Sequence, residues 1–163
     1  MAEYTEVLSR LLSDAAERTR FVADPNAYAA QYEDDVRALL LQLRPSKLER
    51  QAECLVSKRL QEILLLLPST CAKQGARLDS LFHCYAQKYW PTSHRRHIED
   101  AVHFACWLRD GSHPIDSAEL APCELLLGRR HLSVTFARIA GRPALRLMFR
   151  WRTRLRELCL CIG

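Results

Sequence analysis

The strongest constraint on the fold of this chain is a change of hydrophobic period near His131. Before that residue, apolar side chains recur at steps of three and four, which is typical of amphipathic helices. After it they alternate with polar or small side chains, which is the period of a strand. The sequence therefore predicts an α+β fold, with a helical domain over residues 1–128 and a three-stranded antiparallel sheet over residues 129–163 packed on the last helices.

Prolines and a glycine set the predicted ends of the longer helices. Pro45 occupies a first-turn position ahead of the longest predicted helix, 46–67, and Pro68 is expected to end it. Another long helix is predicted from about 71 to 89. Gly128 is expected to terminate the last helix, which places the predicted domain boundary there.

The predicted sheet has two chemically different faces. On its middle strand, Leu145, Leu147, Phe149 and Trp151 alternate with Ala144, Arg146, Met148 and Arg150. We expect the leucine-rich face to pack on the helices and the arginine-bearing face to be accessible, because three short strands cannot shield both faces. At least one edge of the sheet is also expected to stay open, which would make it a docking site for another segment.

Formal charge is distributed unevenly along the chain. The segment from Arg129 to Gly163 holds nine arginines, one glutamate and no lysine, which amounts to +8. Because the whole chain carries +5, residues 1–128 carry −3. Arginine binds carboxylates and phosphates in bidentate fashion, so we expect an anionic partner for the C-terminal sheet.

The histidines that lie closest in sequence, His94 and His97, enclose Arg95 and Arg96. The two arginines disfavour a metal cation, and no cysteine or carboxylate completes an evident ligand set. A role at a partner interface is the favoured interpretation of these four residues. The sequence also lacks the glycine-rich patterns of nucleotide-binding loops and hydrolase nucleophiles. We therefore expect neither a catalytic residue nor a cofactor in this chain.

The seven cysteines are an odd number and contain no Cys-x-x-Cys pair. The first residues lack the pattern of a secretion signal, and the apolar run at 63–67 is far shorter than the roughly 20 residues that cross a bilayer as a helix. These features predict a cytoplasmic protein with reduced thiols and no membrane contact. Most of the cysteines have apolar neighbours, so we expect them to pack as small buried hydrophobes.

Two classes of function use the basic sheet, and a third, an isolated enzyme that uses His94 or His97, stays as an alternative. An adaptor would hold a peptide at the open sheet edge and beside the arginines. A nucleic-acid-binding protein would use the same basic segment to contact phosphates, although no helix-turn-helix with a basic recognition helix is evident.

Three stretches of the chain resemble a known family. They are Arg50-Gln-Ala-Glu-Cys-Leu-Val-Ser-Lys-Arg59 followed by Leu67-Pro68; Leu81-Phe82 and Tyr85-Ala86 with His97-Ile-Glu-Asp-Ala101-Val-His-Phe104 and Trp107-Leu108; and Gly141-Arg-Pro-Ala-Leu145. Together they are similar to TglI-type partner proteins of multinuclear non-haem iron-dependent oxidases, which modify ribosomally made peptides.

The resemblance implies a non-catalytic subunit that forms a heterodimer with a separate TIM-barrel iron oxidase. It implies that the C-terminal sheet is a peptide-recognition element, which captures the leader of a precursor peptide by strand addition. The oxidase would then excise the β-carbon of the precursor's C-terminal cysteine on the route to 3-thiaglutamate. Iron is expected in the partner. The arginines expected to contact an acidic leader are Arg138, Arg146, Arg150, Arg152, Arg154 and Arg156.

Overall fold

The computed structural model describes residues 2–139, 142–151 and 154–161, and within the strands it leaves out the side chains of 137–139, 142–143, 151, 154 and 161. The predicted α+β class is confirmed, since helices are followed by a three-stranded antiparallel sheet. The helices are α1 Ala2–Ser13, α2 Ala15–Ala23, α3 Pro25–Ala29, α4 Asp34–Leu41, α5 Pro45–Leu66, α6 Pro68–Gln74, α7 Leu78–Ala86, α8 Arg96–Asp110 and α9 Ser117–Leu127. The strands are β1 Leu132–Ile139, β2 Arg142–Trp151 and β3 Arg154–Cys161.

Local sequence signals account for several helix ends. The Asp14 carboxylate accepts hydrogen bonds from the backbone N–H groups of Ala16 and Glu17, at 2.8 and 3.1 Å, and so caps α2. Gly128 ends α9 in the left-handed region, with φ 75°, as expected for a glycine after a helix. The longest helix, α5, ends just before Pro68 as expected, and Pro68 is itself the first residue of α6.

The helix predicted from 71 to 89 is divided. α6 ends at Gln74, a short 3₁₀ turn covers Gly75–Arg77, and α7 begins at Leu78. Gly75 has φ 56° and ψ −137°, a conformation that is strained for a side chain with a Cβ. The glycine therefore permits a change of direction that the apolar period alone did not indicate.

The chain divides into two compact units. One comprises Met1–Arg59 with Ala86–Trp90, and the other comprises Leu60–Tyr85 with Pro91–Gly163. The sheet and α9 therefore belong to the same unit, while the predicted domain boundary at Gly128 stays a prediction. In the first unit the buried cluster consists of Val7, Leu11, Phe21, Tyr28, Ala29, Val36, Leu40 and Leu48.

The second unit contains an aromatic cluster on α7 and α8. The ring centroids of Phe82 and Phe104 are 5.2 Å apart in an edge-to-face arrangement, and those of Tyr85 and Phe104 are also 5.2 Å apart. The Tyr85 hydroxyl donates a 2.7 Å hydrogen bond to the Asp100 carboxylate, which is 2% exposed. This bond gives the buried Asp100 carboxylate a polar partner.

The sheet has strand order β1-β2-β3. The face that packs on α9 includes Met148, which is 1% exposed and forms a cluster with Ala121, Leu125 and Leu155. Ala144, which lies on the same face of β2 as Met148, is fully buried. The packed face therefore belongs to the arginine-bearing side of β2.

The opposite face of the sheet is apolar and accessible. We call it the apolar sheet face. In register, Val134 lies beside Leu147, and Leu147 lies beside Leu158. Its most exposed members are Leu132, Val134, Phe136, Leu158 and Leu160.

The expectation that the leucine-rich face packs on the helices is therefore wrong. Alternation fixes which residues share a face, but both faces of this sheet carry apolar residues. Small Ala144 and flexible Met148 suit close packing on a helix, and the long arginine stems beside them can carry their charged groups to the rim. Among the described residues, no helix is both long and apolar enough to span a membrane.

Candidate functional site

The two outer strands of the sheet are the first feature that can bind another chain. Because β2 lies in the middle, β1 and β3 each have one edge that pairs with no further strand in the described part of the chain. Such an edge presents a row of backbone N–H and C=O groups at the spacing of a strand. Within the described residues, either outer strand is therefore a candidate edge for an added peptide strand.

Arg146 forms the clearest ion pair of the sheet. Its Nε and Nη2 atoms donate to Oε1 and Oε2 of Glu157 at 2.8 and 2.9 Å, a bidentate arrangement between β2 and β3. These hydrogen bonds hold the pKa of Glu157 below its usual range and raise that of Arg146. The Cys159 thiol also donates to Oε1, at 3.3 Å. One of the predicted leader-binding arginines is thus already engaged within the sheet.

The other predicted leader-binding arginines lie in different surroundings. The Arg150 guanidinium lies so close to Gly128 that a Cβ at this glycine would collide with it, which places the cation at the C-terminal end of α9. Arg156 is exposed on β3 and pairs in register with Phe149, so it belongs to the apolar sheet face. The side chains of Arg138 and Arg154, and all of Arg152, lie outside the described residues. Their roles in peptide binding stay predictions.

The four residues predicted to form a partner interface lie at the start of α8. His94, Arg96 and His97 are exposed, whereas Arg95 is half-buried. Arg95 donates from Nη1 to the backbone carbonyl of Leu126, so it satisfies a carbonyl in the last turn of α9. Within the described part of the chain, no group of three or more histidine, cysteine, aspartate or glutamate residues is arranged to hold a metal ion.

A shallow cavity of about 390 Å³ lies between α9 and the residues around the α5–α6 junction. Arg146 and Asp116 contribute charged groups to its wall, and Leu65, which is 85% exposed, contributes an apolar one. The complete lining is Leu65, Leu66, Ser69, Asp116, Ala118, Glu119, Pro122, Cys123, Leu126 and Arg146.

Glu119 fixes one wall of this cavity. Its carboxylate accepts hydrogen bonds from the backbone N–H groups of Ser69 and Thr70, at 2.6 and 2.8 Å, in the first turn of α6. Burial acts to raise the pKa of Glu119, but the hydrogen bonds with Ser69 and Thr70 outweigh it and lower the pKa. The sequence did not indicate this role, because the capping carboxylate and the helix it caps are far apart in the chain.

The thiols differ from expectation. Cys71 and Cys123 are buried, and burial raises the pKa of each to about 11. Cys54, Cys84 and Cys159 are exposed. The expectation that most cysteines are buried is therefore wrong for those whose side chains the structure describes.

Comparison with known proteins matches part of the chain to a protein family. A family model described as SCO6045-like, C-terminal domain, matches residues 29–110. The match runs from the end of α3 to the end of α8 and covers half of the chain, so the sheet lies beyond it. Neither the curated proteins nor the solved structures gave a significant match.

Proposed function

The chain belongs to the SCO6045-like C-terminal domain family, and we propose, from the outer strands and the charge of its sheet, that it is a non-catalytic adaptor for a separate enzyme. It binds the leader of a ribosomally made precursor peptide and presents the precursor's C-terminal cysteine to an iron-dependent oxidase. The similarity to TglI-type partner proteins suggests excision of the cysteine β-carbon as the reaction. Under this proposal the iron and the chemistry belong to the partner subunit.

The observation that carries the proposal is that the outer strands β1 and β3 each have one edge without a neighbouring strand among the described residues. β1 has eight residues and β3 has eight, so each can accept an added strand of ordinary length. An added strand gains backbone hydrogen bonds that demand little of its sequence, while alternate side chains give specificity. This mode suits an adaptor that must hold a leader without acting on it.

The charge of the sheet supports an acidic leader. The segment from Arg129 to Gly163 carries +8, and its single acid, Glu157, is already bound to Arg146. Arg130 is paired with Glu124 and Arg129 contacts His103, whereas exposed Arg156 favours a partner rich in carboxylates. The charge also raises the association rate at low ionic strength, because exposed charges attract over a longer distance there.

The test measures leader binding with backbone-blocked peptides. A fluorescent acidic peptide from the leader of a candidate precursor is prepared with N-methyl groups at every second residue, in the two possible registers. Strand addition predicts that one register abolishes binding while the other keeps it, since only alternate N–H groups of an added strand face the sheet. Equal affinities for both methylated peptides would contradict strand addition.

The competing hypothesis is that the basic segment binds nucleic acid. That hypothesis predicts affinity for unrelated duplex DNA or RNA that falls steeply with salt. Titration of the same protein with a duplex of random sequence at low salt distinguishes this hypothesis from the adaptor proposal. Tight binding of the duplex without measurable leader binding would replace the adaptor proposal.

A further inference from the structure

The apolar sheet face exposes several large apolar side chains together. The exposed fractions of Leu132 and Val134 are 53% and 51%, that of Phe136 is 82%, and those of Leu158 and Leu160 are 48% and 51%. If each residue offers about 150–200 Å² when fully exposed, these five contribute on the order of 500 Å² of continuous surface. Patches of this size are often binding sites.

The orientation of the sheet makes this exposure a property of the fold. The opposite face is held on α9 by Met148, which is 1% exposed and clusters with Ala121 and Leu125. Turning the sheet over would bury Phe136 but expose Met148. It would also move the Arg146–Glu157 pair, which lies within the sheet, to different surroundings. A second layer on the apolar side would be stabilised by removing these side chains from water.

Charge distinguishes between the possible second layers. A second copy of this chain would bring two segments of +8 together, with exposed Arg156 on the contacting face of each. Like charges at a small interface oppose association. A surface with an aliphatic centre and carboxylates at its margin would instead match both the leucines and the arginine.

We propose that the apolar sheet face is the surface on which a partner protein with an aliphatic, acid-rimmed patch docks. The inference rests on the proposed function, under which this partner is the iron oxidase. Covering about 500 Å² on each side would bury about 1,000 Å² in total, which is the lower end of the range for specific complexes. The face then holds the enzyme and an edge holds the leader, and Arg156 borders both because it lies on the apolar sheet face and on the outer strand β3.

The experiment compares a double variant of the apolar sheet face with a control variant that adds one carboxylate elsewhere on the surface. The double variant Phe136→Glu with Leu160→Glu places carboxylates on the apolar sheet face, and Leu65→Glu places one on an 85% exposed leucine of α5. The full chain is co-expressed with a tagged multinuclear iron oxidase, the class of partner that the proposal names, and each variant is measured for oxidase affinity, leader affinity and thermal unfolding. All three replaced side chains are largely exposed, so we expect each variant to fold.

The expected result is at least a tenfold loss of oxidase affinity in the double variant, with wild-type affinity in Leu65→Glu. Oxidase binding by the double variant at wild-type strength would overturn the inference and leave the adaptor proposal standing. A wild-type chain that binds neither oxidase nor leader would overturn both. A wild-type homodimer in light scattering that the double variant converts to monomer would assign the face to a second copy and overturn the inference.

Discussion

Replacing Met148 with alanine is expected to destabilise the protein more than replacing any leucine of the apolar sheet face. Met148 is 1% exposed and contacts Ala121, Leu125 and Leu155. Truncation removes about three heavy atoms beyond Cβ, which corresponds to about 2 kcal/mol of lost transfer free energy. The cavity left between the sheet and α9 adds to this, so the total expected loss is about 2–4 kcal/mol.

The matched variant is Leu158→Ala. Leu158 is 48% exposed on the apolar sheet face, so its truncation is expected to cost about 1 kcal/mol or less in the isolated chain. Urea unfolding followed by circular dichroism gives both free energies of unfolding, provided that the slopes with denaturant agree. A larger loss for Leu158→Ala than for Met148→Ala would show that the leucine-rich face packs on the helices after all, and would refute the assignment of the two faces.

Three further predictions concern single charged or titratable groups. Burial and the neighbouring Arg129 guanidinium lower the pKa of His103, so this histidine binds a proton more readily in the unfolded chain than in the folded one. Between pH 7.5 and 5.5 the wild type should therefore lose more stability than His103→Gln, as urea unfolding at each pH would show. Glu119→Ala removes the carboxylate that accepts from Ser69 and Thr70, and should cost about 1–2 kcal/mol in the same assay at pH 7; a neutral result would mean that solvent replaces the cap. Arg156→Glu should weaken binding of an acidic leader more at low than at high salt, while Arg156→Lys should retain most of the wild-type affinity. Fluorescence anisotropy would measure both affinities, and equal losses at both salt concentrations would contradict an electrostatic role.

Much of the architecture follows from local signals in the sequence. The change of period near His131 predicted the sheet, and β1 begins at Leu132. Gly128 predicted the end of α9, and the structure places it in the left-handed conformation that favours glycine. These features depend on neighbouring residues in the chain, so a single sequence contains the information.

The features that the sequence did not predict depend on distant residues. Which face of the sheet is buried is decided by how Met148 and α9 fit together, and alternation in the strand is the same for either choice. The role of Glu119 depends on the position of the first turn of α6, almost fifty residues earlier in the chain. Arg146 was expected to be available to a peptide, but Glu157 on the adjacent strand already binds it.

The most direct test of the adaptor proposal is amide hydrogen exchange of the sheet, measured by NMR with and without the leader peptide. Strand addition predicts that alternate N–H groups of one outer strand, either β1 or β3, become strongly protected when the leader binds. The N–H groups of β2 already bond to both neighbours and should change little. Saturating leader binding that protects no alternate amides on either outer strand would contradict the account.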